Sequence, residues 1–360
     1  MTALLFLAGL AFLLVGAEAL VRGASRLAGA AGISPLVVGL TVVAFGTSSP
    51  ELAVSLASAL AGRTDVAMGN VVGSNVFNVL LVLGLSASIG ALVVQRTLVR
   101  FEVPLLIVVS TAVLLMALDG SVGRVDGAIL FAGLIGYTGF AIWRSRRESS
   151  AVREEYRREF GESSRPATRR LVLDVLLSAI GLTLLVIGSR WLVSAATTTA
   201  EAMGVSSLVV GLTVVAAGTS LPEVATSVLA AVRGERDIAI GNVIGSNLFN
   251  LMAVLGLSGI LAPDGLAVDP ALVRFDLPVM LAAAVACLPI LASGARIDRW
   301  EGALFLAYYG AWTAYLLLRA TAHDTLPAFS AAMLAFVLPL TAVTLAIVAW
   351  RSWRDRGGSG

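Results

Sequence analysis

The chain has no lysine, one cysteine and one histidine among its 360 residues, and only 13% of it is charged. Each scarcity excludes something. The lone cysteine, Cys287, sits in an apolar run, so no disulfide framework exists. The lone histidine, His323, falls in an expected loop, so no histidine-based metal cluster or proton relay can be built. Soluble domains carry about a quarter charged residues, so this composition excludes an ordinary soluble domain. No cofactor motif is present, and no cofactor or nucleic-acid partner is expected. What the chain has instead is 58% hydrophobic residues, a mean hydropathy of +0.92 and repeated apolar runs of 18 or more residues. Such runs are long enough to cross a hydrocarbon core of about 30 Å. An all-α polytopic membrane protein follows.

Apolar periodicity and charged breaks place helices at roughly 2–21, 34–61, 66–90, 101–118, 125–143, 171–193, 205–232, 238–262, 273–294, 301–318 and 327–350, which is eleven spans. The first lacks the basic leader of a signal peptide and reads as a mature span. The main hydrophilic interruption, 144–170, is short and charged and reads as a partly helical surface connector. All 25 basic side chains are arginines, and alternate connections divide them twenty to five. Arginine collects on the cytoplasmic side, so the N-terminus is expected outside, with the central loop and the C-terminus inside, in the cell membrane. The odd span count fits, because the arginine-rich tail WRSWRDR then lies on the cytoplasmic face.

GLTVVAFGTSSPE (39–51) reappears as GLTVVAAGTSLPE (211–223), and GNVVGSNVFN (69–78) as GNVIGSNLFN (241–250). The offset of 172 holds without a gap from Gly39 to Gly84, with 28 of 46 positions identical, and Gly16, Leu20 and Val21 extend it to Gly188, Leu192 and Val193. Five spans separate the copies. An odd number inverts the second copy in the membrane, giving two inverted five-helix repeats plus one extra C-terminal helix. The expected division is 1–143 for the first repeat (motif 39–84), 144–170 for the cytoplasmic basic loop, 171–320 for the second repeat (motif 211–256) and 321–360 for the extra helix and tail. Inverted repeats typify secondary transporters with a binding site near the midplane.

Glu51 and Glu223 occupy one repeat position inside long apolar segments. A carboxylate at a helix centre costs about 2.5 to 3.5 kcal/mol on insertion scales and is expected to face a cavity and a partner. No arginine is expected at that depth, so cations or protons must neutralise the pair. Thr47 and Glu51, Thr219 and Glu223, Ser74 and Asn78, and Ser246 and Asn250 are each four residues apart and share a helix face. Hydroxyl, amide and carboxylate oxygens suit a hard cation, Ca²⁺ or Mg²⁺, and there is no thiolate or imidazole among them for Zn²⁺ or Cu⁺. Pro50 and Pro222 cannot donate an N–H, which frees the carbonyls of Gly46 and Gly218. Gly69, Gly73, Gly241 and Gly245 are expected to let helices approach closely. Asn70, Asn75, Asn242 and Asn247 are expected to include residues that only pack helices together, Asp174 reads as an interfacial or ion-paired residue, and Glu18, opposite Arg190 in the repeat, has no assigned role.

The two motif pairs resemble the α-repeats of the cation/calcium exchanger superfamily, and most closely its sodium/calcium exchanger branch of bacterial and archaeal type. The resemblance covers residues 1–320 in general layout. It implies ion ligands at Thr47, Ser48, Glu51, Ser74, Asn78, Thr219, Ser220, Glu223, Ser246 and Asn250, joined by the backbone carbonyls of Ala44 and Ala216. The carbonyl pair differs from Gly46 and Gly218, the choice that the prolines suggest. Asparagine at both 78 and 250 argues against potassium dependence, and Gly-Ser at 73–74 and 245–246, where calcium/proton exchangers typically carry Glu-His, disfavours that branch. The implied activity is Na⁺/Ca²⁺ antiport by alternating access, not an enzymatic reaction, carried out by a single chain in the bilayer. A Ca²⁺/H⁺ antiporter using the same glutamates is the alternative, and a passive cation channel ranks below it.

Overall fold

The computed structural model describes residues 2–31, 33–95, 97–160, 168–203, 216–292 and 296–343. The first half runs through α1 (Thr2–Ala31), α2 (Pro35–Thr47), α3 (Ser49–Leu60), α4 (Thr64–Ile89), α5 (Leu98–Asp119) and α6 (Arg124–Phe160). The second runs through α7 (Thr168–Ala202), α8 (Leu221–Val232), α9 (Arg236–Leu261), α10 (Leu277–Ala292) and α11 (Arg299–Ala320), and α12 (Leu326–Val343) follows. Among the described residues seven helices are long and apolar enough to cross a membrane, or eight if the bent pair α2–α3 is one span. The expected span 205–232 begins outside the described residues, and those at 273–294 and 327–350 run out of them.

Three helices run well past their expected ends, one of them α7, which continues from Val193 to Ala202. The first helix, α1, continues beyond Val21 to Ala31, because its arginines find partners without breaking the helix. Glu18 stands against the guanidinium groups of both Arg22 and Arg233, and Arg26 meets Asp174 at 3.5 Å. This gives Asp174 the ion pair expected of it and supplies a partner set for Glu18. The fifth expected span continues through α6 to Phe160, so the first part of the central connector is helical. His323 lies in the described loop between α11 and α12.

The two halves contact each other reciprocally. Gly9 faces Gly188 where α1 crosses α7, and Gly16 faces Gly181; the repeat offset turns one contact into the other. The crossing is so close that a Cβ on Gly16 would sit 2.8 Å from the Gly181 carbonyl, and one on Gly188 would sit 2.8 Å from the Gly9 carbonyl. Farther along, Gly84 faces Gly302 and Gly127 faces Gly256. Two antiparallel ribbons obey the same rule: β1 (Leu92–Val93) pairs with β4 (Arg296–Ile297), and β2 (Ser121–Val122) pairs with β3 (Leu266–Ala267). Every such contact joins one half to the other, which is what an internal two-fold relation requires. The LVRFE and LVRFD turns at 98–102 and 272–276 extend the likeness at an offset of 174.

Of the four motif glycines, Gly241 and Gly245 do bring helices together. A Cβ on Gly241 would lie 2.8 Å from the Leu36 carbonyl, and one on Gly245 would lie 2.6 Å from the Leu40 Cα. This presses α2 against α9. Gly69 and Gly73 meet nothing within 4 Å among the described residues. Their symmetry-related partners, 208–212, lie outside the described residues.

Gly16→Leu and Gly181→Leu should each lower the thermal unfolding midpoint in detergent, by a destabilisation of about 1–3 kcal/mol from overpacking. Gly139→Leu, at a position where nothing lies within 4 Å, should not. Equal midpoints for all three variants would contradict the α1–α7 crossing.

Candidate ion-binding site

The site begins at two breaks in the helical backbone. Proline lacks the N–H needed to continue an α-helix, and its ring clashes with the carbonyl four residues back. In the first half the chain therefore turns at Ser48 (φ −83°, ψ 6°) and restarts as α3, bent 48° from α2, with Pro50 in its first turn. In the second half it turns at Ser220 (φ −90°, ψ 6°) and restarts as α8 with Pro222 in its first turn. Each restart is a helix N-terminus, where the dipole favours negative charge. Glu51 and Glu223 stand in these two first turns.

Each glutamate is held from the opposite half. The Ser48 hydroxyl donates to Glu223 Oε1 at 2.9 Å, and the Ser220 hydroxyl donates to Glu51 Oε1 at 2.8 Å. Ser220 Oγ also lies 3.2 Å from Ser74 Oγ, and Thr47 Oγ1 lies 3.4 Å from Ser246 Oγ. Both carboxylates are fully buried and lie within electrostatic reach of one another. Among the described residues neither has a basic partner, and no third Asp, Glu, His or Cys joins them.

The remaining polar atoms are left over in a specific way. Among the described residues, Oε2 of Glu51, Oε2 of Glu223 and both amide atoms of Asn78, of Asn250 and of Asn247 are buried without a hydrogen-bond partner. Buried polar groups are almost always paired, and an unpaired one costs about 1–3 kcal/mol, more when it is charged. Asn78 and Asn250 each open a π-helical turn, Asn78–Leu83 and Asn250–Val254. Such bulges are frequent at functional positions. The donor set of carboxylate, hydroxyl and amide oxygens fits a hard cation that accepts six to eight oxygens.

The structure thus links Thr47, Ser48, Glu51, Ser74, Ser220, Glu223 and Ser246 by direct side-chain contacts. Thr219 enters through Asn70 Oδ1 at 3.5 Å, and Asn78 and Asn250 stand one helical turn beyond Ser74 and Ser246. Of the backbone candidates, the Ala44 carbonyl accepts the Ser48 N–H at 3.0 Å and lies 3.4 Å from Thr47 Oγ1. The Gly218 carbonyl is taken up by the Ser189 hydroxyl, which weighs against a glycine carbonyl as a ligand there. Ala216 opens the short turn Ala216–Gly218.

Four residues beside the site escaped the reading of the sequence as ligands. Asn70 donates to Ser55 at 2.9 Å, and Asn242 donates to Ser227 at 2.8 Å. The available signal was their identity across the repeat in otherwise apolar surroundings, which Asn75 and Asn247 share.

The family model for "Sodium/calcium exchanger protein" matches residues 1–143 and 173–318. The chain belongs to this family. It is similar to the inner membrane protein YrbG of Escherichia coli, 36% identical over 215 residues that make up 60% of this chain and 65% of YrbG. It is also similar to the sodium/calcium exchanger MaX1 of Methanosarcina acetivorans, 39% identical over 143 residues, 40% of either protein. Among solved structures it resembles the sodium-calcium exchanger NCX_Mj, with a TM-score of 0.75 and 30% identity, covering 88% of this chain and 98% of that one. The chain is therefore a helical, multi-pass membrane transporter of the cation/Ca²⁺ antiporter class, and not an enzyme.

Ser48→Ala and Ser220→Ala each remove a hydrogen bond to a buried carboxylate, worth about 1.5–3 kcal/mol. Each should weaken Ca²⁺ binding by roughly 10- to 100-fold, and the two losses should be similar because the contacts are reciprocal. Wild-type Ca²⁺ affinity in both variants, measured by ligand-induced thermal stabilisation, would contradict the crossed arrangement.

Proposed function

We propose that this chain exchanges Na⁺ for Ca²⁺ across the cell membrane by alternating access, with one ion site shared by both substrates. The observation that carries the proposal is the crossed pair: two buried carboxylates, one from each half, each engaged by a serine of the other half and each with its second oxygen unpaired. Two negative charges with no basic partner among the described residues balance one Ca²⁺. Glu51 and Glu223 bind Ca²⁺ centrally. Thr47, Ser48, Ser74, Asn78, Thr219, Ser220, Ser246 and Asn250, with the carbonyls of Ala44 and Ala216, complete the Ca²⁺ site and two or three overlapping Na⁺ sites. Occupancy by one ion then excludes the other, and this exclusion is the physical basis of exchange.

The moving part is the α1–α7 pair. Gly9, Gly16, Gly181 and Gly188 lock these two helices together, and none of the site's ligands lies on either. They form a unit that slides past the site and opens it to alternate faces, with the N-terminus outside and the C-terminus in the cytoplasm. The reciprocal halves support this motion, because exchanging their conformations carries the site from one access state to the other. A single chain contains the whole site.

Glu51→Gln and Glu223→Gln should each reduce ⁴⁵Ca²⁺ transport at least about 100-fold, since one charge is then missing from the balance of a divalent ion. Na⁺ added on the same face as Ca²⁺ should raise the KM for Ca²⁺ without lowering the maximal rate. Wild-type transport in either glutamine variant, or purely non-competitive inhibition by Na⁺, would contradict the shared site.

A further inference from the structure

Two asparagines outside the ligand set occupy the same place in the two halves. In the second half Asn242, fully buried on α9, donates its amide N–H to Ser227 Oγ at 2.8 Å, while its Oδ1 accepts from Thr47 Oγ1 of the first half at 3.0 Å. In the first half Asn70, on α4, donates to Ser55 Oγ at 2.9 Å, while its Oδ1 faces Thr219 Oγ1 of the second half at 3.5 Å. The amide orientation is fixed by chemistry. Asn70 Nδ2 also lies 3.3 Å from the Glu51 backbone carbonyl, an acceptor only, so the nitrogen must point to that side and the oxygen toward the threonine. The repeat places Asn242 in the same orientation.

A threonine hydroxyl has one proton and two lone pairs. Once the proton is given to an asparagine oxygen, only lone pairs remain for whatever else the hydroxyl meets. Without that acceptor the proton would turn toward the neighbouring oxygens or the site itself, where a positive hydrogen repels a cation. We propose that Asn70 and Asn242 are positioning residues, each fixing the hydroxyl of the opposite half's site threonine so that its lone pairs face the transported cation. The proposal rests on the reading of this cluster as a cation site. It also assigns Ser55 and Ser227 a part, as the groups that hold each asparagine in its orientation. Outer groups that orient a metal ligand are typically worth 10- to 100-fold in affinity. The 3.0 Å contact of Asn242 makes it the stronger of the two, and Asn70 at 3.5 Å the weaker.

The test is the thermal unfolding of the purified full-length chain against Ca²⁺ and, separately, Na⁺, since a ligand that binds only the folded state raises the midpoint in proportion to its affinity. Asn242→Leu should weaken Ca²⁺ binding 10- to 100-fold, and Asn70→Leu should weaken it less. Asn242→Asp keeps the acceptor and should bind Ca²⁺ as tightly as the wild type or more tightly. Thr47→Val removes the hydroxyl through which Asn242 acts, so adding Asn242→Leu to it should cost nothing further. Multiplying losses in the double variant, or wild-type affinity in Asn242→Leu, would overturn the proposal. If Asn242→Leu shows no cooperative transition without ions, the aspartate variant decides: affinity as weak as that of Thr47→Val would overturn it. A wild type stabilised by Na⁺ but not by Ca²⁺ would sink the calcium reading alone, leaving the relay to be judged on the Na⁺ shifts. A wild type stabilised by neither would overturn both.

Discussion

Two carboxylates share one buried place among apolar helices, and among the described residues neither has a basic side chain to answer it. Charge in such surroundings is expensive unless paired, so the architecture around Glu51 and Glu223 is arranged to make their burial tolerable. The proline breaks put each glutamate in the first turn of a new helix, where the dipole is favourable. A serine at each break reaches across to the other half and occupies one oxygen of each carboxylate. On the proposed reading the other oxygen takes a mobile cation.

The crossed serines tie charge burial to the internal symmetry. Each half supplies a glutamate that it cannot satisfy and a serine that satisfies its counterpart, so neither half forms the site alone. The same crossing recurs at the glycines of α1 and α7, at the two short ribbons and at the Thr47–Asn242 and Thr219–Asn70 contacts. The equivalence is not complete. Glu18 pairs with Arg22 and Arg233, while Arg190, its counterpart in the repeat, has no acidic partner among the described residues.

Much of this was legible in the sequence because a membrane interior penalises polarity, so polar residues that repeat inside apolar runs announce themselves. Glu51, Glu223, Thr47, Thr219, Ser74, Ser246, Asn78 and Asn250 were found in this way, whereas Ser48 and Ser220 were implied only by the family resemblance. The structure joins Glu51, Glu223, Ser48, Ser220, Ser74, Thr47 and Ser246 by side-chain contacts. What the sequence could not show was which residue faces which. An offset of 172 establishes that Ser48 is equivalent to Ser220, but not that Ser48 serves Glu223 and not Glu51. Asn70 and Asn242 were passed over for the same reason, since an asparagine that orients a ligand has the same composition signal as one that only packs helices. Helix ends were misjudged where charge was taken as a stop: Arg22 and Arg26 sit within α1 because Glu18 and Asp174 answer them.

The central claim is that the unpaired carboxylate oxygens take Ca²⁺ and Na⁺ in turn. It is tested most directly by ⁴⁵Ca²⁺ uptake into proteoliposomes preloaded with Na⁺ and diluted into Na⁺-free buffer, beside vesicles that carry only a pH gradient. The account predicts uptake that needs the outward Na⁺ gradient and collapses with a Na⁺ ionophore. Uptake driven by the pH gradient alone, or in neither set of vesicles, would contradict it.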